Sequence, residues 1–142
     1  MKRNINKRTK NQAVNSQKNT QESMKAYLRG KHECVKASTK AGLLSDGIFG
    51  EELEGHVNHF NYVADNALGI VTKLIDAQEI TLSEENVFEW YDTCIRKMLV
   101  AFDCLSNSPC VFYDISLEGK TVKGVVFTTE EGGVDLVMGL AA

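Results

Sequence analysis

The residues of this chain whose types and spacing could do chemistry are its three histidines, four cysteines and several clusters of acids. His56 and His59 stand three apart, which puts both imidazoles on one helix face where they can share a metal, and Glu52 lies one turn before His56. His32 and Cys34 offer two more ligand types from another segment. The set lacks the HExxH or paired CxxC spacing that fixes a zinc site. The expectation is therefore no metal, with the histidines facing solvent or satisfying helix caps.

Cys94 falls on an apolar stripe and reads as a small core residue. Cys104 and Cys110 flank a helix-to-strand turn, where they could approach each other. The charged N-terminal run never reaches an apolar signal region, so the expected setting is cytoplasmic and the thiols reduced. The acids cluster at Glu51, Glu52 and Glu54, at Glu84 and Glu85, and at Glu130 and Glu131. The first two clusters begin helices, where negative charge complements the helix dipole, and the third sits in a turn. No nucleophile or general base accompanies any of them in a recognisable pattern. The glycines form neither GxGxxG nor GxxxxGK[ST], so no nucleotide cofactor is expected. The chain reads as a non-enzyme with no catalytic residues.

Charge carries more information. The 142 residues have a formal net charge of −3, which conceals a segregation. Residues 1–45 hold eleven basic residues and two acids, a balance of +9, and residues 46–142 hold five basic residues and 17 acids, a balance of −12. Lys2, Arg3, Lys7, Arg8, Lys10 and Lys18 precede the first acid, Glu22. Such a segment is a polycation that gains affinity for phosphates or carboxylates by releasing counterions, without reading sequence. Its only aromatic is Tyr27, so it lacks the stacking platforms that hold unpaired bases.

Fifteen of the first 45 residues are Asn, Gln, Ser or Thr, too polar a composition to offset chain entropy by burial. The expectation is a flexible basic arm over residues 1–45. Within it a short docking helix is expected at about 20–30, started by Asn19 and Glu22, presenting Met24, Tyr27 and Leu28 to a partner, and stopped by Gly30.

The remaining residues, 46–142, read as an acidic domain. Leu53, Val57, Phe60, Ala64, Ala67, Val71 and Leu74 share one face of a helix, with Ser45 as the expected N-cap and Leu44 and Phe49 as a hydrophobic staple. Thr81 and Glu84 resemble a capping box for a second helix, whose stripe is Val87, Tyr91, Cys94, Met98, Ala101 and Leu105 and which stops at Pro109. The link between them is short, so an antiparallel helical hairpin is expected. Beyond Pro109 come three runs rich in β-branched and aromatic residues, divided by Glu118-Gly119 and by a second Gly-containing turn, Glu130-Glu131-Gly132-Gly133. The expected fold is α+β: a helical hairpin packed on a three-stranded antiparallel meander (ααβββ), behind a flexible basic arm.

Two functions follow as expectations. One is a non-enzymatic binding or structural protein that docks on a larger assembly, with its basic arm on nucleic acid or an acidic protein surface, and with self-association through arm-to-body contact. The other is an inhibitor of a nucleic-acid-binding enzyme that acts through the acidic body. The Asn- and Lys-tilted, motif-free composition suits a phage or mobile-element product. No apolar run is long enough to span a membrane.

Overall fold

The structure is a computed structural model. It describes residues 2–105, 107–128 and 134–140, with side chains described for 19–105 and 107–128. In chain order the elements are α1 (Lys2–Ser45), α2 (Gly50–Asp76), α3 (Glu84–Cys104), β1 (Cys110–Leu117), β2 (Lys120–Thr128) and β3 (Val134–Leu140).

The expected fold is corrected at its N-terminal end. There are three helices, and the segment expected to be a flexible arm enters the core as part of α1. Leu28 is wholly buried and His32 is 3% exposed, while Met24 and Val35 pack against the same cluster. These positions recur at i, i+4, i+8 and i+11, one stripe of a helix. Gly30 does not end α1, because an exposed glycine inside a helix costs only about 1 kcal/mol and the buried stripe on either side of it outweighs that. The stripe is sparse, which is why composition alone concealed it.

The helix termini also differ from expectation. Ser45 is the last residue of α1 and does not cap α2. The α1–α2 turn is a Schellman motif: Gly47 adopts φ 84°, its N–H donates to the Leu44 carbonyl, and the Ile48 N–H donates to the Leu43 carbonyl. The N-cap of α2 is Phe49, which supplies no side-chain cap. Ser83, and not Thr81, caps α3, accepting from the Asn86 N–H at 3.2 Å, and Asn86 Nδ2 donates back to the Thr81 carbonyl at 2.9 Å.

The three helices enclose most of the core. Val63, Ala64, Ala67, Val71, Leu74 and Ile75 from α2 meet Val87, Trp90, Tyr91, Cys94, Ile95, Met98 and Ala101 from α3, with Leu28 of α1 closing the group. The layer that the helices pack on is the antiparallel β1–β2 pair, whose Tyr113, Ile115, Val122 and Val126 are buried. Here too the expectation is corrected: the packed layer is two strands, and β3 pairs antiparallel along the far side of β2. Glu118 and Gly119 both have positive φ (54° and 74°), as the tight turn joining β1 to β2 requires. Burial alternates along β1 and β2, leaving Phe112 80% exposed on the outer face.

Candidate functional site

The basic run sits on a helix that outreaches its neighbour. Lys25 pairs at 2.8 Å with Asp76, the last residue of α2, and Gln21 Nε2 donates to the Ile75 carbonyl at 3.3 Å. Helical backbone N-terminal to Gln21 therefore runs on past the end of α2. At 1.5 Å per residue, residues 2–18 add roughly 25 Å of helix. Lys2, Arg3, Lys7, Arg8, Lys10 and Lys18 all belong to this stretch, and their side chains lie outside the described ones.

The body near that end is rich in acids. Asp76, Glu79, Glu84, Glu85 and Glu118 lie on the last turn of α2, the α2–α3 connection, the first turn of α3 and the β1–β2 turn. Two contacts bring these pieces together: Lys120 Nζ binds Glu79 at 2.6 Å, and the Thr81 N–H donates to Glu118 Oε2 at 3.1 Å.

Met24, Tyr27 and Leu28, read from sequence as a docking face, do meet a surface, and it belongs to the same chain. Leu28 is buried between the helices and Met24 is half-buried against them. Tyr27 is half-buried, with the Lys31 ammonium 5.7 Å from its ring centroid; the same ammonium lies 5.8 Å from the ring of Phe88 on α3.

His32 is the residue whose role the sequence hid. Its Nδ1 lies 2.7 Å from the Tyr91 hydroxyl, and its Nε2 lies 2.9 Å from Asp65 Oδ1. A carboxylate only accepts, so Nε2 carries a proton toward Asp65, and in the neutral form of the ring Nδ1 accepts from the phenol. Burial, reinforced by the nearby charge of Asp65, pushes the Tyr91 phenol well above its ordinary pKa, which keeps that hydroxyl protonated. The order hydroxyl–imidazole–carboxylate resembles a nucleophile relay. Yet Tyr91 is wholly enclosed, so no substrate reaches its oxygen. The trio works as a polar clamp that ties α1 to α2 and α3. It corrects the expectation of a solvent-facing or capping His32, and an i, i+4 placement after Leu28 was the one signal that could have revealed it.

The other candidate ligands remain apart. His56 is exposed, and His59 stacks edge-on against Phe102 at 5.1 Å. Cys34, Cys104 and Cys110 are exposed and free, and Cys94 is buried, its thiol pushed up to about 12 by that burial. Among the described residues no group of three or more His, Cys, Asp or Glu could hold a metal ion. Among them, too, no helix is long and apolar enough to cross a membrane.

Comparison with protein-family models, curated proteins and solved structures found no match.

Proposed function

We propose that this chain is a non-enzymatic binding protein that joins a larger assembly, with the basic N-terminal part of α1 engaging an anionic surface, either nucleic acid or an acidic protein. The observation that carries this reading is the charge segregation of +9 in residues 1–45 against −12 in residues 46–142, together with a helix that extends its first basic residues beyond the end of α2. The body's balance of −12 disfavours a polyanion there relative to the basic end of α1. Four unpaired cysteines suit a reducing compartment, and the proposed setting is cytoplasmic.

The test is fluorescence anisotropy of a labelled duplex oligonucleotide across a salt titration. The full chain is compared with a variant carrying Gln at Lys2, Arg3, Lys7, Arg8 and Lys10. The full chain should bind at low salt with log affinity falling linearly in log salt. The variant should lose most of that affinity, and its slope should shallow by about 4. Equal binding by the two proteins would overturn the proposal.

A further inference from the structure

The far edge of β3 is open. The strand order is β1-β2-β3, so one side of β3 pairs with β2 and, among the described residues, no strand pairs with the other. The helices pack on β1 and β2, with α3 lying chiefly along β1, which leaves β3 beside the helical layer. An edge strand presents a row of backbone N–H and C=O groups that a further strand can complete. Natural edges are blunted by lysine, proline or a bulge, and β3 has none of the three. Its register with β2 runs unbroken from Val122 opposite Leu140 to Thr128 opposite Val134, and its only charged residue is Asp135.

The sequence of that edge is complementary to itself. Antiparallel pairing of Val134–Leu140 with the same strand of a second copy, over its full length, places a two-fold axis at Val137. Val134 then faces Leu140, Leu136 faces Met138 and Asp135 faces Gly139, so no charge stands opposite a like charge. Two rows on the outer face continue through the junction. Phe112, Val125 and Val137 are in register, with Phe112 80% exposed and Val125 half-buried, and the axis joins this apolar row to its copy. The next row, Asp114, Lys123 and Gly139, meets Asp135 of the second copy.

Lys123 is exposed, and glycine at position 139 puts no side chain between it and that aspartate. Strands about 4.8 Å apart set the two residues roughly 10 Å apart at Cα, within reach of a lysine and an aspartate together. Within one chain Asp135 is registered with Phe127, roughly 14 Å from Lys123 and too far to pair. The opposite charges therefore meet only between copies.

We propose that two copies of this chain join through β3 in an antiparallel, isologous contact that merges their three-stranded sheets into one. The contact is separate from the basic end of α1 and stands whether or not that end binds nucleic acid or protein.

Sedimentation velocity of the full chain tests the proposal, and the expected result is a reversible monomer–dimer equilibrium. Val137→Lys sets two ammonium groups at the axis and should weaken the dimer by about tenfold or more, with circular dichroism unchanged. Lys123→Glu and Asp135→Lys, each alone, set like charges across the junction and should weaken it about tenfold at low salt. An equimolar mixture of those two variants restores both opposite-charge pairs and should dimerise like the parent, a recovery that no folding defect would show. The five-residue Gln variant of the N-terminal helix should also dimerise like the parent. A chain that stays monomeric at high micromolar concentration would overturn the proposal. So would a dimer indifferent to Val137→Lys, or a mixture that associates no better than its components. Loss of the dimer in the Gln variant would overturn it too, as would assembly that grows beyond two copies.

Discussion

His32 Nδ1 lies 2.7 Å from the Tyr91 hydroxyl, and this contact joins the segment that composition marks as a loose arm to the centre of the folded body. Both groups are shielded from water, so neither can exchange its partner for solvent. Replacing His32 by Ala strands a buried phenol and opens a cavity, and the expected loss is about 2–4 kcal/mol. Tyr91→Phe removes the hydroxyl and keeps the ring, so the expected loss is about 1–2 kcal/mol. Urea unfolding followed by circular dichroism measures both. A His32→Ala protein as stable as the parent would show that the contact contributes nothing.

α1 is a core element where Met24, Leu28 and Val35 pack. Leu28→Ala should cost about 2–5 kcal/mol, the range for a fully buried leucine. By contrast Gly30→Ala, at an exposed helical position where an added methyl meets nothing within 4 Å, should stabilise by about 1 kcal/mol. A detached arm would leave stability unchanged in both variants. Thermal melts distinguish the two cases directly.

Gly124 on β2 faces Tyr113 on β1, its partner in the register, and the tyrosine ring lies across the glycine. A methyl group at Gly124 would sit 2.3 Å from Tyr113 Cζ and 2.5 Å from its hydroxyl oxygen. Gly124→Ala should therefore destabilise by about 1–3 kcal/mol through overpacking. Combining it with Tyr113→Leu should recover part of the loss, since the smaller side chain vacates the contact. Additive losses in the double variant, measured by denaturant midpoints, would refute the steric account.

Alkaline pH should unfold the protein through groups that it buries neutral. The Cys94 thiol is raised by burial from 9.0 to about 12, and the phenols of Tyr91 and Tyr113 are also raised, in both cases chiefly by burial. Each of these acids binds its proton more tightly folded than unfolded. Their contribution to stability is complete below the unfolded pKa and is lost as pH rises toward the folded one. Stability should be flat for these groups below about pH 9 and decline above it. In a titration followed by phenolate absorbance, Tyr91 and Tyr113 should ionise only together with the loss of tertiary circular dichroism. Ionisation of all four tyrosines while that signal stays intact would contradict the assignment.

Local pattern made much of the body legible. The stripe from Leu53 to Leu74 gave α2, the one from Val87 to Ala101 gave α3, and the Glu118-Gly119 pair marked the turn between β1 and β2. These signals are short-range: periodicity and positive φ depend on residues a few places apart. The charge segregation was equally plain, because it needs only counting. The long-range features were not visible. Leu28, His32 and Val35 are too few to make α1 hydrophobic on average, and Gly30 between them reads locally as a stop. Only Tyr91 and Asp65, 59 and 33 residues away, convert that sparse stripe into a packed face. The sequence by itself determined the elements of the body and where opposite charges lie along the chain. Tertiary structure alone decided that the basic segment carries Leu28 and His32 into the core, because burial is a property of partners that the fold brings together.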